Sequence, residues 1–234
     1  MKTAIATRAT TPLAKTVEKG YPWGMVRLTI DIVSDVVCPW CYIGVERLYR
    51  AMRLFDVPVD YTVRFHPYFL DSSVPEEGEL IADRLRARYR GTNVDEMFDR
   101  VNAAAKESGL ALDVRRQQRS YPTLKAHTLL RVAAIHDVQE KVARALFREH
   151  FDEAGNIADT ATLVRIGVAF GIDEALLLSM LTNPNSLAQT RTEAAHLADS
   201  GIRGVPFFLL GSKLGVSGAQ PVPAMMQALR QVAG

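Results

Sequence analysis

The only two cysteines of this 234-residue chain stand three positions apart, in Cys38-Pro39-Trp40-Cys41, with a hydrophobic stretch before them and an amphipathic one after. Leu28 to Val37 reads as a buried strand, and Tyr42 to Leu54 reads as a helix. At the start of a helix, thiols at this spacing share one face within disulfide reach. A strand, a Cys-x-x-Cys turn and a helix in that order are suited to reversible thiol–disulfide chemistry.

The placement has physical consequences. With Cys38 as N-cap, Pro39 takes the first helical position, where its missing N–H and fixed φ cost nothing. The Cys38 sulfur is then expected to face the unpaired N–H groups of the first turn, including that of Cys41. Those donors and the helix dipole favour a thiolate, and such placements bring a thiol from ~8.5 to between about 3.5 and 7.5. Cys38 is therefore the expected nucleophile. Cys41, one turn in and more buried, is the expected resolving thiol. Half a zinc site would need two further ligands, and neither a second Cys pair nor an H-x₃₋₅-H partner occurs. A purely structural disulfide gains little, because so small a ring removes little chain entropy.

At 48% hydrophobic residues the chain has ample material for one large domain or two small ones. Lys plus Arg is 28 and Asp plus Glu is 26, a formal net charge of +2. That balance argues against a nucleic-acid or membrane surface as partner. No apolar run approaches the ~18 residues of a membrane span. Residues 1–25 lack the continuous apolar core of a secretory signal: Ile5, Leu13 and Val17 stand isolated among Thr, Lys and Arg. They read as a disordered N-terminal extension, with Met25 as an alternative start. The expected compartment is the cytoplasm, where a Cys pair is more often catalytic than structural.

Four short segments read as strands. Leu28–Val33 and Val59–Phe65 place apolar residues at period two; Pro206–Leu210 is a continuous apolar run, and Lys213–Val216 follows across a Gly211-Ser212 turn. A last helix starts at Pro221, with Val222, Met225, Met226 and Leu229 on one face. Residues 79–200 read as helical throughout. One helix starts at an Asn93/Glu96 capping box and stops at Gly109. Further helices run around Ala126–Ala134, Phe147–Phe151, Leu163–Phe170 and Leu176–Leu181, with Gly155, Gly171 and Pro184 as separators. The expected organisation is α/β, β-α-β then β-β-α, with a large all-helical insertion between the second and third strands. Strands one and two, joined through a helix, should be parallel, and the last two an antiparallel hairpin.

Three segments carry a family resemblance: Ser34 to Gly44 around the Cys pair, Gly204-Val205-Pro206-Phe207-Phe208, and Val216-Ser217-Gly218-Ala219-Gln220-Pro221. In this order and with an insert of this length, the chain resembles the DsbA-like thioredoxin-fold oxidoreductases. Within them it is similar to the FrnE-like branch, grouped with 2-hydroxychromene-2-carboxylate isomerases and kappa-class glutathione transferases. The resemblance spans residues 27–232. It implies a discontinuous thioredoxin-like domain (26–78 and 201–234) holding an inserted helical lid (79–200). It also implies a cis Val205-Pro206 peptide facing the Cys pair, with the Val205 backbone free to pair with an extended peptide or glutathione.

Pro39, Trp40, Val205 and Pro206 are accordingly the expected substrate-binding residues, and Cys38 and Cys41 the catalytic ones. Asp35 matches the wider family as well, as a proton relay for Cys41 or as a cap of the strand-to-helix turn; the structural role is preferred. His127 ends a family-like Thr123–His127 stretch, although relatives carry Asn where this chain has Pro122. Its apolar neighbours suggest a structural histidine. The leading function is a thiol–disulfide oxidoreductase or isomerase acting on protein or small thiol and disulfide substrates. It would use no metal and no tightly bound cofactor beyond the redox-active Cys38–Cys41 disulfide, with glutathione as a candidate co-substrate. The alternative is a glutathione-dependent isomerase or transferase acting on a small aromatic molecule; relatives of that kind have Ser at the Cys38 position and lack the second thiol. A third reading is a chaperone or adaptor using the apolar cleft between lid and sheet. A homodimer is expected by analogy.

Overall fold

The computed structural model describes residues 26–233; the extension expected over 1–25 lies outside them. The chain opens with β1 (Val26–Ser34), α1 (Pro39–Leu54) and β2 (Val59–Pro67). β1 and β2 pair in parallel, Val26 opposite Val59 through Ser34 opposite Pro67, with α1 as the crossover. The chain closes with β5 (Phe207–Leu210), β6 (Leu214–Ser217) and α9 (Val222–Ala233). β5 runs antiparallel to both β1 and β6, so the sheet order is β2-β1-β5-β6. β1 is central, and Leu28, Ile30 and Ile32 are fully buried in the core with Ile43 and Leu48 of α1 and Phe208 of β5.

Between β2 and β5 lie α2 (Ile81–Arg88), α3 (Val94–Glu107), α4 (Leu124–Ile135), α5 (Gln139–Phe151), α6 (Thr160–Ala169), α7 (Glu174–Thr182) and α8 (Pro184–Asp199). The region is not helical throughout, as the sequence suggested. A two-stranded ribbon, β3 (Glu79–Leu80) with β4 (Arg119–Ser120), pins its start, and irregular chain follows α3. Two helices escaped the hydrophobic pattern. α2 buries none of its residues. α8 buries Ser186, Thr190, Ala194 and Leu197, and Pro184, read as a separator, is its first residue. Asn93 does cap α3, but through the N–H of Asp95, while Glu96 accepts from the Asn93 side chain rather than from its main chain. Gly109, at φ 78°, allows the reversal that ends that helix.

The helical block meets the sheet along β2. Gln139 of α5 pairs with the outer edge of this strand through its side-chain amide, accepting from the Phe65 N–H at 2.8 Å and donating to the Phe65 carbonyl at 2.9 Å. The edge is thereby covered instead of left to pair with another chain. Among the described residues, no helix is long and apolar enough to cross a membrane.

Candidate active site

The turn from β1 into α1 sets the Cys pair in place. The Cys38 N–H donates to the Asp35 carbonyl at 3.0 Å, and Cys38 caps the helix in an extended conformation, with Pro39 following it. The sulfur is not placed as expected. The N–H groups of Cys41 and Tyr42 donate to the Cys38 carbonyl at 3.0 and 3.2 Å, and the Cys38 side chain makes no cap hydrogen bond. The tight first turn uses those donors on the backbone. The Cys38 Sγ instead faces the Val205 carbonyl oxygen at 4.0 Å. Both thiols are free and buried, with Cys38 4% exposed and Cys41 wholly enclosed. Trp40, 38% exposed, stands at the surface between them.

The three sequence segments converge here. The Val205-Pro206 peptide is cis. The Pro206 carbonyl accepts from the Gly218 N–H at 2.8 Å, and the carbonyl of Ala219, the residue after Gly218, accepts from Arg47 Nη1 at 2.7 Å. The same guanidinium donates to Ser108 Oγ at 2.7 Å and to the Ala104 carbonyl at 3.4 Å, so α1, α3 and the loop before α9 share one cation. Gly44 lets α1 approach this loop: a Cβ there would lie 2.9 Å from the Pro206 ring and 3.1 Å from that of Phe208. Arg47 was not singled out from the sequence, because its partners lie far along the chain.

Beneath the pair lies a buried polar group. Asp35 Oδ2 accepts from the Leu70 N–H at 2.9 Å, and Oδ1 lies 3.3 Å from His127 Nε2. Burial pushes the Cys41 thiol well above its usual range, and the neighbouring Cys38 adds to this; a main-chain hydrogen bond from Asp35 works the other way. Burial holds His150 of α5 down at about 4, against the pull of the Asp35 charge. That histidine is therefore neutral near pH 7. Its Nε2 is buried without a partner, while Nδ1 meets Gln117 Nε2 at 3.3 Å. Asp35 thus ties the turn that carries the Cys pair to Leu70 and to α4.

Residues 29–230 match the family model of the DSBA-like thioredoxin domain. The chain belongs to this family. Among solved structures, the probable DsbA oxidoreductase of Streptomyces coelicolor is 30% identical, with a TM-score of 0.77 over 88% of this chain and 89% of that one. Two more distant structures share the DsbA-like fold. A 2-hydroxychromene-2-carboxylate isomerase is 13% identical, with a TM-score of 0.66 over 87% and 95% of the two chains. The cytosolic disulfide reductase DsbM of Pseudomonas aeruginosa, solved with glutathione, is 15% identical, with a TM-score of 0.59 over 87% and 98%. Reductase and isomerase names therefore occur on one DsbA-like architecture, so the fold alone does not assign the chemistry. Among the described residues, no group of three or more His, Cys, Asp or Glu is arranged to hold a metal.

Proposed function

We propose that this DsbA-like protein is a dithiol–disulfide oxidoreductase or isomerase in which Cys38 is the nucleophile and Cys41 the resolving thiol. The observation that carries the reading is a pair of free thiols on the first turn of α1, the outer one facing the Val205 carbonyl at 4.0 Å. In the reducing direction, Cys38 attacks a substrate disulfide, forms a mixed disulfide and releases one substrate thiolate. Cys41 then attacks Cys38 Sγ, closes the Cys38–Cys41 disulfide and releases the second thiolate. The substrate gains the two electrons that the protein loses. From the oxidised protein the same steps run in reverse.

The Val205 main chain beside the sulfur suits an extended substrate backbone, and Pro39, Trp40 and Pro206 complete the contact surface. Glutathione is the small thiol we favour as co-substrate, by likeness to DsbM, and the cytoplasm is the compartment we assign on the same likeness. A glutathione-dependent isomerase would have no use for the second thiol, whose burial beneath Cys38 suits the resolving step.

The test is an equilibrium titration against glutathione redox buffers, with free thiols counted by alkylation and mass. The expected result is one reversible two-thiol transition, and its midpoint, within about −270 to −120 mV, sets whether the protein donates or accepts disulfides. A lasting single adduct on Cys38, or no response, would overturn the reading.

A further inference from the structure

The exchange steps assign no role to residues 216–221, the third segment at the site. Its turn is bonded to itself. Gln220 donates from its N–H to the Gly218 carbonyl at 2.9 Å and from Nε2 to the Ser217 carbonyl at 2.8 Å, and Gly218 takes a φ of 78°. The Gly218 N–H leaves the turn to reach the Pro206 carbonyl at 2.8 Å, just past the last β5–β6 pair, Phe207 opposite Ser217. The position of Val205 depends on that bond. Among the described residues, 202–205 make no hydrogen bond from main chain to main chain, and Arg203 and Gly204 are exposed. The Val205 main chain is therefore placed by Pro206, whose ring lies against α1 at Gly44 and whose carbonyl is held by Gly218.

Arg47 fixes the turn from the other side. Its guanidinium is anchored on α3 by Ser108 Oγ at 2.7 Å and by the Ala104 carbonyl at 3.4 Å, and Nη1 donates to the Ala219 carbonyl at 2.7 Å. Ser108 is itself held, donating to the Ala104 carbonyl at 2.7 Å. The nearby acid, Glu107, lies 3.8 Å away and is 77% exposed, so it draws little on the charge. A planar fork can hold acceptors on two elements at once, which a single ammonium cannot do in the same geometry. Arg47 also stands on the helix that Cys38 caps. The contacts thus close a circuit from Cys38 along α1 to Arg47, through Ala219, Gly218 and Pro206 to Val205, and back to the Cys38 Sγ at 4.0 Å.

From this circuit we infer that Arg47 is a positioning residue for substrate binding. Resting on the dithiol reading above, it holds the Val205 main chain in place beside Cys38, so that a peptide disulfide paired with Val205 presents its sulfur to the thiol. The substrate class that needs the brace is one with an extended main chain. A small aromatic disulfide, with no main chain to pair, does not need it. Arg47 itself meets neither sulfur, so its effect belongs to binding rather than to the exchange step.

Two probes separate binding from exchange. One is a synthetic extended peptide whose single cysteine is in mixed disulfide with nitrothiobenzoate. The other is 5,5′-dithiobis(2-nitrobenzoate). Both report Cys38 attack on the reduced protein through the first release of nitrothiobenzoate in single turnover. In Arg47→Met the peptide concentration at half-maximal rate is expected to rise about 5- to 20-fold, with the limiting rate within about threefold. The rate with the small disulfide should stay within about twofold of the wild type. Leu177→Ala, a cavity-forming change in α7, which packs on α4, α6 and α8, should lower stability and move neither probe. An unchanged half-maximal concentration in Arg47→Met, a parallel loss with both probes, or the same rise in Leu177→Ala overturns the inference. Should Arg47→Met fail to fold, Arg47→Lys decides, since it keeps the charge but not the fork: a raised half-maximal concentration for the peptide supports the brace, and an unchanged one overturns it. A wild type that releases nothing from either probe would instead sink the dithiol reading itself.

Discussion

The two sulfurs differ in surroundings more than in sequence. Cys38 faces a backbone carbonyl at the mouth of the site, whereas Cys41 lies fully enclosed above Asp35. Cys38→Ser should therefore abolish exchange with small and protein disulfides. Cys41→Ser should still attack, but accumulate mixed disulfides visible as intact mass adducts. Full turnover by the Cys38 variant would contradict the assignment. Gly44 offers a separate probe, since its role is to leave room. A methyl group there meets the Pro206 ring at 2.9 Å, and a proline ring yields little. Gly44→Ala should cost about 1–3 kcal/mol in urea unfolding and slow exchange as α1 is pushed from Val205. A variant matching the wild type in both would show that the loop gives way freely. The cysteines were legible because their chemistry resides in the side chain. Gly44 was quoted in a motif without a role, since close approach is a property of two segments.

At the level of elements, Arg47 joins α1, α3 and the loop before α9 through three main-chain and side-chain acceptors, and it is only 12% exposed. Arg47→Met keeps most of the stem but strands those acceptors, and should destabilise by about 1–3 kcal/mol. Arg53, on the same helix, pairs with Glu46 while 60% exposed. Arg53→Met should cost well under about 1 kcal/mol. Chemical denaturation of both variants checks the contrast, and equal losses would show that burial is not the deciding factor. β1, β2, α1, α3 and α9 were readable because one face of each is apolar at a regular period, and β5 because it is a continuous apolar run; the short β3 and β4 left no such trace. α8 was not, because it is held by polar contacts. Arg131 donates to Ser186 Oγ at 2.8 Å, and Thr128 and Thr190 hydroxyls meet at 2.9 Å. Hydrophobic periodicity carries no trace of such packing.

Over the whole molecule, a half-buried histidine and a fully buried one pull stability in opposite directions with pH. Burial opposes the charge on His66, but hydrogen bonds to Asp31 and then Glu193 outweigh it and raise the group to about 9. Its contribution is full below its unfolded value of 6.5 and is lost as pH rises towards 9. His150 is the reverse case. Lowered to about 4 by burial, it stays neutral in the fold while the unfolded chain takes up a proton, so stability falls as pH drops from 6.5 towards 4. Each accounts for at most about 3 kcal/mol. The melting temperature should therefore peak near pH 6.5 and decline on both sides. His66→Gln should flatten the alkaline limb and leave the acid one. A profile level from pH 5 to 9 would contradict both assignments.

Local chemistry sufficed for much of this protein. A strand, a capped Cys-x-x-Cys helix, a terminal hairpin and a long helical insert follow from residue spacing, because turns, caps and periodic faces involve neighbours along the chain. The family resemblance added the expectation that Val205-Pro206 faces the pair. Tertiary structure alone decided where the Cys38 sulfur points and which groups enclose Cys41. It also brought Asp35 to His127 across 92 residues and Arg47 to Ala219 across 172. The first contact forms only when the insert folds back over β2, the second only when the C-terminal segment docks on α1, and no local period encodes either closure.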